Sequence, residues 1–187
     1  MALQFVPPPA EVLSTYQTSL LDFLGPHDPP AVLHHLPVGA LDLTALANGA
    51  TLQDVVPSGC RFLAAWSDGK VTSCEMTNST LYGQAQFRNF VQDDSVRTAI
   101  TRIGEAADLP AVQQADLKLH FLSIPGIHLE ALHLAGDGPD SDLVMPIVSA
   151  DTQLATDLVL DAATFLAQAR AIAAARLALP VSSGLSS

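Results

Sequence analysis

The chain has 187 residues, of which 49% are hydrophobic and only 14% charged, with a formal net charge of −11 from 19 acids against 8 bases. A chain of this size buries about 70% of the surface its unfolded form exposes, so one domain folds without help from a disulfide or a metal. Only Lys70 and Lys118 are lysines and no basic cluster exists, which argues against nucleic acid and against anionic membranes as partners.

In chain order, the opening MALQFVPPPAEV has neither a basic segment nor an apolar run before its prolines. It does not read as a secretory signal, and the expected location is cytoplasmic. A first helix is predicted over 9–24, with Pro9 in its first turn and Val12, Tyr16, Leu20 and Phe23 as its apolar stripe. Gly25-Pro26 supplies a stop, and Asp28 is expected to cap a short helical turn from Pro29 to Leu36. Residues 37–59 are left unassigned, since LDLTAL at 41–46 suits a strand or a helical turn.

The segment 60–77 reads as a hairpin turning at Asp68-Gly69. A two-residue turn there pairs Trp66 with Val71, Leu63 with Cys74 and Cys60 with Thr77. The two cysteines then point to opposite faces, and two reduced, buried thiols are expected. Residues 78–92 read as a long connection. A helix follows from Asp94 to Ala107, with Val96, Ala99, Ile100 and Ile103 on one face and Asp93 and Asp94 at its positive end. The stretch 117–148 reads as three strands separated by turns at Pro125-Gly126 and Gly136-Asp137-Gly138-Pro139.

A last helix is predicted over 154–178. It holds eight alanines between Ala162 and Ala175 and is apolar nearly all round, so it is expected to bury more than one side, against the sheet or against another subunit. No run reaches the ~20 apolar residues that span a bilayer. The stretch 158–179 comes closest, and Asp161, Gln168, Arg170 and Arg176 interrupt it. The expected organisation is a single α+β domain over 1–180 with a mobile tail at 181–187. Its core is an antiparallel sheet of about five strands with helices packed on one face.

Candidate chemistry concentrates in 117–142. A tight turn at Pro125-Gly126 pairs Ser123 with His128, Phe121 with Glu130 and Lys118 with His133. Ser123, His128 and Glu130 then share one end of a sheet face and are the catalytic candidates, as nucleophile, base and orienting acid. No GxSxG elbow or glycine-rich oxyanion loop accompanies them, so solvated sheet-end residues are the stronger reading. The opposite face holds Lys118, His120, Leu122, Leu129, Ala131 and His133. His120 and His133 become neighbours there, without an evident third metal ligand.

Asp137, Asp140 and Asp142 are the metal candidates, but their order lacks the alternating acids and distal glutamate of a calcium loop. The adjacent His34 and His35 would point in different directions on a helix. Trp66, Ala169 and Ala173 are the binding candidates, Trp66 as an interface anchor and the alanines as a close helix contact. There is no GxGxxG, no HExxH and no paired CxxC. The function expected is a non-enzymatic module for protein binding or self-association, without a cofactor, acting through an apolar helix and sheet surface. The alternative is a small hydrolase using 117–142.

Overall fold

The computed structural model describes residues 3–24, 30–79, 84–151 and 154–179. Its strands are β1 (Gln4–Phe5), β2 (Ala31–Ala40), β3 (Val56–Ala65), β4 (Val71–Ser79), β5 (Gln84–Val91), β6 (Lys118–Ile124), β7 (Leu129–Ala135), β8 (Leu143–Ser149) and β9 (Leu160–Asp161). Its helices are α1 (Ala10–Leu24), α2 (Leu43–Ala47), α3 (Asp94–Ala107), α4 (Pro110–Gln114) and α5 (Ala162–Ala178). The strands form one sheet in the order β5-β4-β3-β2-β6-β7-β8-β9, with β1 added beside β6. The fold is therefore α+β, as expected, but the nine-stranded sheet is larger than about five strands. It is also mixed, because β6 runs parallel to both β1 and β2.

Two antiparallel meanders, β2 to β5 and β6 to β8, meet along the β2–β6 seam. That seam is short, joining only Val38, Gly39 and Ala40 to Phe121, Leu122 and Ser123. Helices cover both faces rather than one. On β7, Leu132 and Leu134 pack in the same cluster as Val96, Ala99 and Ile103 of α3. Leu129 and Ala131, pointing the other way, join Phe165, Ala169 and Ile172 of α5. Strands covered on both sides are near-continuous apolar runs, and β6 to β8 read that way. Farther along the α5 face, α1 places Val12, Tyr16 and Leu20 over Cys60, Phe62, Cys74 and Met76 of the first meander. Tyr16 stacks on Phe62 with ring centroids 4.1 Å apart, and burial, with Cys74 beside it, pushes its hydroxyl up to about 12.

The strands missed in the sequence have a common cause. Where a helical turn is expected up to Leu36, residues 31–36 are instead the start of β2, whose extended form is set by partners on β3 and β6 that lie far away in sequence. The expected connection at 78–92 contains β5, an edge strand whose pairing shifts opposite Glu75 and Met76, so the period-two pattern is interrupted. Residues 37–59, left open above, form the end of β2, α2, a 3-10 turn at Leu52–Asp54 and the start of β3. The last helix begins at Ala162 rather than 154, because the Asp161 carboxylate accepts from the Thr164 N–H at 2.8 Å and caps it there. The expected stop at Gly25-Pro26, the cap at Asp28 and the tail at 181–187 lie outside the described residues.

Both predicted hairpin registers shift. Gly69, at φ 82°, lets the turn close by Gly69 N–H donating to the Trp66 carbonyl at 2.9 Å. One more residue enters the loop than a two-residue turn allows, and Phe62 rather than Leu63 pairs with Cys74. Cys60 then pairs with Met76, so both thiols share a face, contrary to the expected opposition. Both are free, and burial pushes each up to about 12. In the β6–β7 hairpin, a 3-10 turn at Pro125–Ile127 and a left-handed His128 at φ 48° replace the tight turn. The register moves by two, pairing Ser123 with Glu130 and His120 with His133. An even shift keeps every side chain on its predicted face.

Candidate functional site

The most concentrated charge chemistry lies on the α3 face. Arg61, on β3, is largely buried and reaches over the β2–β6 seam toward β7. Its Nη1 and Nη2 donate to the two carboxylate oxygens of Glu130, each at 3.0 Å. Nη2 also donates to Glu75 at 2.7 Å, and the second Glu75 oxygen accepts from Arg88 at 2.8 Å. The guanidinium lies 3.7 Å above the Phe121 ring. Burial by itself would lower the Arg61 pKa. The hydrogen bonds and charges of Glu130, then of Glu75, outweigh it and hold the group above its ordinary value. The arrangement is a clamp, with two cations and two anions in balance across the short parallel pairing that joins the two meanders.

The catalytic candidates lie beside this clamp. Ser123, His128 and Glu130 line one opening of about 360 Å³ together with Arg61, Glu75 and Arg88. Glu130 gives its carboxylate to Arg61 rather than to an imidazole. Among the described residues no hydrogen bond joins Ser123 to His128, and His128 is exposed at the turn. The three are gathered, but the bonds a triad requires are not made. Arg61 and Glu75 went unnoticed in the sequence. The available signal was a single arginine and a single glutamate inside otherwise uncharged strands, CRFLAA and VTSCEMT.

The α5 face offers a second constellation. His120 and His133 are direct cross-strand partners with ring centroids 6.0 Å apart. His133 Nε2 lies 2.9 Å from Asp142 Oδ2, and the other Asp142 oxygen accepts from the Gly136 N–H at 2.9 Å. Burial lowers the His120 pKa, and the neighbouring His133 and Lys118 add to this against the opposing pull of Asp142. Both imidazoles line a cleft of about 290 Å³ over the seam, walled by Leu52, Val55, Pro57 and Leu122. Asp142 is thus buried behind a histidine, whereas Asp137 and Asp140 are exposed. The three acids do not converge, and among the described residues no group of three side chains stands ready to hold a metal.

The binding candidates separate. Ala169 and Ala173 are fully buried against the core, so they face inward. The outward side of α5 carries Ala163, Ala167, Ala171, Ala174 and Ala178 as a stripe, with Thr164, Ala175, Arg176 and Leu177 exposed beside it. Trp66 is half-buried at the end of β3, with its indole nitrogen buried and unpartnered. Among the described residues no helix is long and apolar enough to cross a membrane. No family model, curated protein or solved structure matches this chain.

Proposed function

We propose that this chain is a protein-interaction module that associates with a second copy of itself through the outward face of α5. The chemistry of that face supports the reading. Between Asp161 and Arg176 the only charged side chain is Arg170, and its guanidinium donates to the carbonyls of Gly49 and Ala50 at 2.9 and 2.8 Å. What remains toward solvent, beyond Thr164 in the first turn, is a stripe of alanines at helical spacing, small enough for a second helix to approach closely. Leu177 and Leu179, 49% and 59% exposed, add apolar area at its C-terminal end. On a chain carrying −11, an uncharged face lets two copies meet without like charges at the contact, and one face serves both copies in a two-fold pair. The same reading involves no catalysis and no cofactor. A cytoplasmic location accords with the free thiols of Cys60 and Cys74.

Light scattering on a size-exclusion column, at two protein and two salt concentrations, tests this. A dimer mass is expected, rising with protein concentration and strengthened by salt, because the rest of the surface repels its copy. Ala167→Glu with Ala171→Glu should give a folded monomer. A monomer under every condition, or a dimer indifferent to both substitutions, refutes the proposal.

A further inference from the structure

The cross-strand histidines on the α5 face have the spacing of a metal-binding pair. A late divalent metal binds an imidazole nitrogen at about 2.0–2.1 Å, which puts two ligating ring centroids roughly 4.5–6.4 Å apart as the angle at the metal opens from cis to trans. The rings of His120 and His133 stand 6.0 Å apart with their planes inclined at 39°. Their separation is fixed from below, because the two residues are paired directly in the β6–β7 ladder.

Asp142 supplies the second observation. Its two oxygens both accept, one from the Gly136 N–H and one from His133. Because a carboxylate only accepts, the neutral tautomer that suits this contact carries its proton on Nε2 and offers Nδ1 as the ligating atom. A carboxylate behind an imidazole is the arrangement that fixes the tautomer and orientation of metal-ligating histidines. His120 makes no hydrogen bond among the described residues, which leaves its ring free to ligate. With no third protein ligand among those residues, the other coordination positions fall to water or a small ligand entering the apolar cleft. Two imidazoles with open positions hold best the ion at the top of the Irving–Williams order, Cu²⁺. Lys118, exposed on the same strand face, opposes the cation, and the Asp142 carboxylate offsets it.

We propose that His120 and His133 form a binding site for a divalent late transition-metal ion, Cu²⁺ foremost, with Asp142 as the positioning residue behind His133. The test is a Cu²⁺ titration of the full chain, freed of metal with a chelator beforehand, read by calorimetry and by electron paramagnetic resonance. One tight equivalent is expected, with hyperfine splitting from two nitrogens. His120→Gln, at a half-exposed position, should weaken binding by about tenfold or more and leave the signature of one nitrogen. Asp142→Asn should weaken it by about 10–100-fold while both nitrogens remain. Replacing His34 and His35 together with glutamine should leave the titration unchanged. Absence of binding overturns the site. So does an affinity unmoved by His120→Gln, or one lost with the His34 and His35 substitutions. A melting curve of each variant, recorded without metal, separates lost ligation from lost folding.

Discussion

The Arg61 clamp makes a quantitative prediction about non-additivity. Glu75→Gln and Glu130→Gln each remove one negative charge while keeping the shape and one accepting oxygen. After either change alone, Arg61 still faces the other carboxylate. Each should cost about 1–2 kcal/mol, the low end for hydrogen bonds to charged groups. Glu75 should cost the more of the two, since its side chain is 5% exposed against 30% for Glu130, where water screens the loss. Both together leave a guanidinium that is only 12% exposed with no counter-charge. That state should cost about 4–6 kcal/mol, exceeding the sum of the singles by about 2 kcal/mol. Urea unfolding of the four members of the cycle measures this, and guanidinium is avoided because it screens ion pairs. With Arg61→Met as the background, the excess should vanish, because there is no cation left to strand. Additivity within about 0.3 kcal/mol in the native background would refute the clamp as the tie across the seam.

Three further outcomes follow from the packing. Cys60 and Cys74, both buried with their thiols pushed up to about 12, should react with a thiol reagent at pH 8 only as fast as the chain unfolds, and both at once in denaturant. Fast labelling of one cysteine in the native state would contradict their placement under α1. A Cβ at Gly59 would overlap the Met76 carbonyl, so Gly59→Ala should lower stability by about 1–3 kcal/mol in a urea titration, whereas Gly104→Ala, in open space on α3, should stabilise slightly. Ala169→Glu, at a fully buried position, should unfold the chain by circular dichroism, while Ala167→Glu should leave it folded. Equal effects would mean that α5 is turned differently.

The sequence by itself determined the elements whose partners are local. The stripe of Val12, Tyr16 and Leu20 and the capped run 94–107 gave α1 and α3 nearly to the residue, because a helix is specified by spacing and caps within itself. The alternation along 117–135 placed Leu119, Phe121, Leu132 and Leu134 on one face and His120 and His133 on the other. That assignment survived a wrong register, since the slip was an even number of residues. Tertiary structure decided what depends on distant partners. β2 is a strand because β3 and β6 flank it, and nothing within AVLHHLPVGA announces that. Arg61 meets Glu130 only because a parallel seam brings together two meanders whose residues here stand 69 positions apart in the chain. Asp142 looked like one acid of a loop cluster and is instead the buried partner of His133. Ala169 and Ala167 are alike in sequence, and only the direction from which the sheet approaches α5 buries the first and leaves the second in water. Local pattern fixes which side of an element is apolar, whereas the pairing of distant strands fixes what that side, and the polar side opposite it, will touch.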